Sequence, residues 1–193
     1  MKTIPRSFYG KDTVDVAKNL LGKLLVRRIN GMIISGIISE TEAYRYKDDP
    51  ASHSFGGRTE RNKAMFGEVG RAYVYFTYGM HYCVNAVAKD EKYDAGAVLI
   101  RAIVPKDGIE FMIKQRKMDV ISNLANGPAK LTQSLKITKL QYGEDLTKVS
   151  ALYIADGISV KRSIIESRPR IGIKKATDNL WNFSVPKNYF VDY

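Results

Sequence analysis

The sequence predicts an α+β fold. One domain over residues 1–193 would hold a mainly antiparallel β-sheet core with surrounding helices and a protruding β-hairpin. Three observations carry this expectation. Short apolar or alternating runs of strand length recur along the chain, mixed with a few helical patterns. An Asn30-Gly31 pair sits between two of those runs, a strong hairpin signal because both residues tolerate positive φ. No internal repeat, low-complexity tract or Pro/Ser-rich linker divides the 193 residues, a length that suits one domain.

Residues 12–21 read as a helix: Asp12 or Thr13 can cap it, Val14, Ala17, Leu20 and Leu21 share a face, and Gly22 can end it. Residues 24–28 and 32–43 are predicted strands on either side of Asn30-Gly31. Residues 45–69 are rich in Gly, Asp, Ser and Asn and read mostly as loop, with a short helix at 63–66. Strands at 72–76 and 81–87 flank Thr77-Tyr78-Gly79-Met80; along the first, Tyr73 and Tyr75 point to one face, Val74 and Phe76 to the other. Residues 97–103 form a buried strand carrying one charge, Arg101. Residues 107–118 and 128–135 are predicted helices, the second with Pro128 at its permissive first position. Short strands near 152–155, 158–161, 170–173 and 183–185 complete the pattern.

Charge narrows the partners. Thirty-one Lys and Arg against 20 Asp and Glu give a formal net charge of +11. Such an excess suits a polyanion, because cations that replace condensed counterions on phosphates gain binding free energy. A basic surface that is merely solvated is the alternative. No stretch approaches the roughly 20 apolar residues needed to span a bilayer, and no strongly basic amphipathic helix stands out for a membrane surface. The segment Met1-Lys2-Thr3-Ile4-Pro5-Arg6 lacks the apolar run of a secretory signal, so a cytoplasmic, intracellular location is expected. The single cysteine, Cys83, allows no intramolecular disulfide and fits that expectation.

Several side chains could carry chemistry. Glu40, Glu42 and Tyr44 fall on one face if their strand stays regular. The same pattern fits a solvent-facing Glu pair at a strand end, or the paired carboxylates of a sugar hydrolase. His53 lies in a polar loop, Ala51-Ser52-His53-Ser54. Tyr73, Tyr75, Tyr78 and Tyr82 crowd the hairpin beside Arg71, Arg58, Arg61 and Lys63. Tyr78, at a turn next to Gly79, is placed to wedge into a minor groove and unstack a base step. Arg101 and Asn85 are polar positions in apolar strands, and a buried guanidinium must find a carboxylate, phosphate or water. Asn126-Gly127-Pro128-Ala129-Lys130 is either a phosphate seat at a helix start or an ordinary turn-to-helix junction. Lys161, Arg162, Arg168, Arg170, Lys174 and Lys175 concentrate positive charge, with Glu166 the lone acid, a density that favours nucleic-acid backbone contacts. Zinc is poorly supported: His53, His81 and Cys83 lack a matching carboxylate motif.

The ordered set of motifs resembles the alkyladenine (3-methyladenine) DNA glycosylase family. The match runs through Leu20-Leu21-Gly22-Lys23, Glu40-Thr41-Glu42-Ala43-Tyr44, Ala51-Ser52-His53-Ser54 and Arg61-Asn62-Lys63-Ala64-Met65-Phe66. It continues through Tyr73-Val74-Tyr75-Phe76-Thr77-Tyr78-Gly79-Met80, Asn85, Val98-Leu99-Ile100-Arg101-Ala102, Asn126-Gly127-Pro128-Ala129-Lys130-Leu131 and Arg170-Ile171-Gly172-Ile173. Each motif is weak alone; their joint order across nearly the whole chain is specific. The resemblance implies a monofunctional base-excision repair enzyme that flips an alkylated purine from double-stranded DNA and hydrolyses its bond to deoxyribose.

Carried over residue by residue, it makes Glu42 the base that activates water, with Arg101 and the backbone of Ile171 helping to hold that water. Tyr44, Tyr75 and His53 would wall the flipped base, and Asn85 would crowd the edge where normal guanine carries its amine. Tyr78 would be the wedge, with Met80 flanking it. By charge and position rather than by resemblance, His81, Arg58, Arg61 and Lys130 are also expected to meet DNA. Glu40 would be a structural neighbour. No metal or cofactor is implied, and a monomer is expected. The chain departs from the family at His81, where some relatives carry an aromatic residue, and at Lys174 and Lys175, which add charge to a C-terminal loop. Two other readings use the same residues: a non-catalytic binder of damaged or single-stranded nucleic acid, and a metal-assisted nuclease built on Glu40, Glu42 and Asp48.

Overall fold

The longest strand, β2 (Met32–Tyr44), organises the sheet: it is mostly apolar as far as Ile38 and polar from Ser39 to Glu42. A computed structural model describes residues 1–77 and 79–190. Among these, β2 pairs along most of its length with β5 (Ala97–Asp107), while its other edge is shared. The first half of that edge pairs with β1 (Leu24–Ile29) and the second half with β8 (Asn182–Ser184). Further strands extend the sheet in the order β3 (Ala72–Thr77), β4 (His81–Val87), β5, β2, β1, β6 (Leu152–Ala155), and β7 (Glu166–Arg168) pairs with β8. Every pairing between these strands is antiparallel. The α+β expectation is met, and β3–β4 forms the expected hairpin; its Tyr78 lies outside the described residues.

The Asn30-Gly31 turn forms as the dipeptide predicts, with φ of 50° and 80°, the left-handed pair that matches the twist of two flanking strands. Helix α2 (Thr13–Leu20), which follows the single turn α1 (Arg6–Tyr9), is capped by Asp12, whose carboxylate accepts from Val14 N and Asp15 N. Its buried face is Thr13, Val16, Ala17 and Leu20. Val14 is only partly buried, so the helix is turned slightly from the expected face. Thr13 explains the rotation: its hydroxyl donates to Ala88 O and points that edge inward.

Helix α2 also decides which face of β2 is free. Thr41 donates to the Ala17 carbonyl of α2 at 2.8 Å. Side chains alternate along a strand, so Glu40, Glu42 and Tyr44 point away from α2. Helices α3 (Ile109–Arg116) and α4 (Pro128–Ser134) pack on one another, and α4 lies against β4 and β5. Strand β5 runs on to Asp107, past the point where a helix was expected, and Gly108 (φ 70°) makes the break before α3.

Two predicted strands do not exist. Residues 158–161 form no ladder; Ile158 N donates to Gly22 O, and Ile158 and Val160 lie against the Gly22 turn between α2 and β1 rather than joining the sheet. Residues 170–173 form a turn, with Gly172 at φ 78° and Arg170 inside the protein. The strand β7 at 166–168 was not anticipated, because Glu166-Ser167-Arg168 is polar and exposed and gives no apolar period.

Gly22 shows how closely these segments meet. Its φ is +84°, and a Cβ there would lie 2.3 Å from the Ile158 carbonyl oxygen. Gly31 has a similar φ but open space around it. Gly22→Ala is therefore expected to lower stability by more than about 1 kcal/mol, and by clearly more than Gly31→Ala. Urea unfolding of the two variants checks this, and equal losses would show that φ alone matters.

Candidate active site

One line across the sheet builds the centre of the site. In register, Tyr73 on β3 faces Asn85 on β4, Asn85 faces Leu99 on β5, Leu99 faces Glu42 on β2, and Glu42 faces Asn182 on β8. Directly opposed residues share a face, so five strands present these side chains together. The β2–β5 register slips on both sides of Glu40. This irregularity lies beside Arg101, which has the two carboxylates within reach; such local twisting commonly re-aims a side chain.

The guanidinium binds both carboxylates. Arg101 Nε donates to Glu40 Oε1 at 3.0 Å and Nη1 to Glu42 Oε2 at 3.2 Å. Burial works against the charge on Arg101, but Glu42 and then Glu40 outweigh it and raise its pKa. Glu42 has no solvent exposure. Its carboxylate accepts four hydrogen bonds: from the Tyr44 hydroxyl (2.8 Å) and Arg101 on Oε2, and from Ile171 N (2.8 Å) and Asn182 Nδ2 (3.0 Å) on Oε1. A carboxylate offers about four lone-pair sites, so this one is saturated. Burial, then the neighbouring Glu42 charge, pushes the Tyr44 phenol far above its ordinary range.

Glu42 lies behind three of its donors, Tyr44, Arg101 and Ile171, which line a cavity of about 580 Å³, within the usual range for a small-molecule site. Tyr44, His53, Tyr75, Asn85, Arg101 and Ile171, all expected at the site, line it, and His81 stands on its wall. The His53 and Tyr75 rings meet edge-on with centroids 4.6 Å apart, and Tyr73 and Tyr75 lie 5.3 Å apart. His53 Nδ1 is 3.0 Å from the Tyr73 hydroxyl. Burial first, and the nearby Arg61 charge second, lower the His53 pKa, which favours a neutral ring. Asn85 Nδ2 donates to Tyr73 O, which fixes its orientation in the wall.

The remaining expected residues lie around this centre. Arg61 is exposed, sits 5.5 Å from the Tyr75 ring and donates to Phe76 O. Arg58 and Met80 are exposed outside the lining. Lys130 donates to Asn126 Oδ1 at the start of α4. The basic run at 161–175 is divided. Arg162 pairs with Asp15 and Arg168 with Glu166, whereas Lys174 and Lys175 are exposed at the cavity.

Arg170 corrects the view of that run as a set of backbone-contacting cations. It is buried, holds Asp49 through two bonds of 2.6 and 2.7 Å, and donates to Ala43 O. Its guanidinium lies 4.7 Å from the Tyr44 ring and 5.1 Å from that of Trp181. This pair pins the turn that delivers Ile171 N to Glu42. Asn182, Asp49 and the inward Arg170 were not singled out as site residues in the sequence. Asn182 gave a weaker signal than Asn85, because its strand is the short Asn-Phe-Ser segment and was placed one residue later. Asp48 accepts from Tyr93 and pairs with Arg45 instead of joining Glu40 and Glu42. Among the described residues no group of three or more His, Cys, Asp or Glu could hold a metal ion.

Residues 7–189 match the methylpurine-DNA glycosylase family. The chain belongs to that family. A provisionally named 3-methyladenine DNA glycosylase of Prosthecochloris aestuarii is 45% identical over 99% of this chain and 91% of its own length. Proteins given the same provisional name in Carboxydothermus hydrogenoformans and Francisella tularensis are 46% and 45% identical, over 97% and 93% of both chains. In this methylpurine-DNA glycosylase family member, Asp49 is the buried partner that keeps the Ile171 turn in place. Asp49→Asn would leave Arg170 buried against a neutral amide and is expected to cost about 3–5 kcal/mol. Thermal or urea unfolding measures it; a loss below about 1 kcal/mol would mean that the pair is a minor contact.

Proposed function

We propose that this protein removes alkylated purines from duplex DNA by hydrolysing the N-glycosidic bond, with water activated by Glu42, and leaves an abasic site. The observation that carries the reading is a buried carboxylate, fixed by four donors, three of which (Tyr44, Arg101 and Ile171) line a cavity walled by aromatic rings. Family membership supports the same chemistry, as do the names of the relatives.

In this reading the purine leaves the base stack and enters between Tyr44, Tyr75 and His53. Extrusion costs a few kcal/mol, and a ring such as Tyr78 filling the vacated space offsets part of it. Purines alkylated at N3 or N7 are cationic, and an aromatic face attracts a cation by about 0.5–2 kcal/mol. A neutral His53 adds no repulsion. The cationic base is already a good leaving group, so one carboxylate suffices as the general base and no acid is required. Asn85, held by its bond to Tyr73 O, crowds the edge where guanine carries its exocyclic amine.

The saturated carboxylate sets a condition on the water. One donor must yield its place before water can donate to Glu42. The Tyr44 hydroxyl is the donor best suited to do so, because its own ring is a wall that the entering base touches. Arg101 and the backbone at Ile171 then hold the water toward C1′. The rival readings lack support at the same point. A binder that only stacks bases has no use for a carboxylate buried behind the wall of the cavity, and Asp48 is engaged away from Glu40 and Glu42.

Glu42→Gln is expected to bind lesion-containing duplex as the wild type does while losing base release by a factor on the order of 100 or more. Single-turnover excision from a duplex with one 7-methylguanine, read by alkaline cleavage at abasic sites, checks it. Excision at the wild-type rate would remove Glu42 from the chemistry.

A further inference from the structure

Strand β8 brings into the centre of the site a side chain that no motif singled out. We propose that Asn182 is a positioning residue for the hydrolysis: its amide nitrogen ties Glu40 to Glu42 and fixes the direction of the Glu42 carboxylate, which lies behind the Tyr44, Arg101 and Ile171 wall of the cavity. The proposal rests on the reading of Glu42 as the water-activating base.

The geometry is that of a closed ring. Asn182 Nδ2 has two hydrogens and donates to Glu40 Oε1 at 2.8 Å and to Glu42 Oε1 at 3.0 Å. Arg101 makes the second bridge, from Nε to Glu40 and from Nη1 to Glu42. Carboxylate, guanidinium, carboxylate and amide thus alternate. Asn182 is 2% exposed and stands directly opposite Glu42 in the β2–β8 ladder.

Charge explains why a neutral donor is placed there. Two carboxylates on one strand face repel, and a single guanidinium supplies only one compensating charge. Without a second bridge, the repulsion would push the Glu42 side chain around Arg101 and out of line with its donors Tyr44 and Ile171 in the cavity wall. An amide offers two charge-assisted hydrogen bonds and adds no net charge.

Fold stability gives little reason for Asn182. Asparagine is a poor strand residue, and burying its amide costs free energy unless it is bonded. Phe183 is the residue of β8 that packs in the hydrophobic core, so core packing does not account for Asn182. Here the bonds go to the two carboxylates of the site rather than to backbone or a turn, which assigns the residue to the site.

The test measures single-turnover excision from a 7-methylguanine duplex, and affinity for a duplex holding a tetrahydrofuran abasic analogue. Asn182→Ala should slow excision about 100-fold, the scale of a small misplacement of a reacting group, with affinity unchanged. Adding Glu40→Gln removes the repulsion and should recover about tenfold, the worth of one hydrogen bond to a charged group. A side chain that only filled space would give no such rescue, because Glu40→Gln does not refill β8. If Asn182→Ala is unfolded by circular dichroism, Asn182→Ser takes its place in both arms. Wild-type rates in the single variant, an affinity loss in step with the rate, or no rescue would each overturn the proposal. Glu42→Gln run in parallel separates the two ideas. If it excises normally, the reading of Glu42 is at fault; if it is inactive and the Asn182 variants are not, only the role of Asn182 falls.

Discussion

A single guanidinium facing two carboxylates on one side of a sheet is the constraint on which the site depends. Charges out of water are costly, and they persist only when paired and hydrogen-bonded. Arg101, Glu40 and Glu42 meet that condition through contacts from four strand or loop positions. Because Glu42 uses all its acceptor sites on the protein, its direction is set before any ligand arrives. Such preorganisation is what the proposed general base requires, since only the neutral Tyr44 hydroxyl has to give way to water and the charged partners stay in place.

The fold delivers these contacts by two devices. The first is registry: antiparallel pairing from β3 through β4, β5 and β2 to β8 places Tyr73, Asn85, Leu99, Glu42 and Asn182 in line. Helix α2 covers the opposite face of β2 through Thr41, and the cavity lies on the side of this line, where Tyr73, Asn85 and Leu99 border it. The second device is the buried Arg170–Asp49 pair. It ties the 170–172 turn to the loop after β2, and the same guanidinium lies against Tyr44, one wall of the cavity. A charge that resembles part of a DNA-binding stripe in the sequence is thereby a structural strut.

Much of this was legible in the sequence. Strand alternation put Glu40, Glu42 and Tyr44 on one face, and the Asn30-Gly31 turn fixed the β1–β2 register behind them. The demand of a buried guanidinium for a carboxylate anticipated the partner of Arg101, although spacing left open which Glu would act. Resemblance to a family, not periodicity, made that choice. What stayed hidden depends on contacts far apart in the chain. Arg170 looks like its exposed neighbours until Asp49, more than a hundred residues earlier, is brought to it. Residues 158–161 and 170–173 have strand-like composition, but each spends its backbone bonds on a loop contact or a turn. Asn182 was missed because its strand was read one residue too late.

The central claim is that position 42 presents a negative charge to the sugar as positive charge develops at C1′. Affinity for two abasic duplexes tests it directly, one with a neutral tetrahydrofuran and one with a cationic pyrrolidine in place of the sugar. Interactions that favour the transition state appear as preference for the cationic mimic. The account predicts that the wild-type protein prefers the cationic duplex and that Glu42→Gln erases the preference while leaving affinity for the neutral one unchanged. An undiminished preference in Glu42→Gln would contradict it.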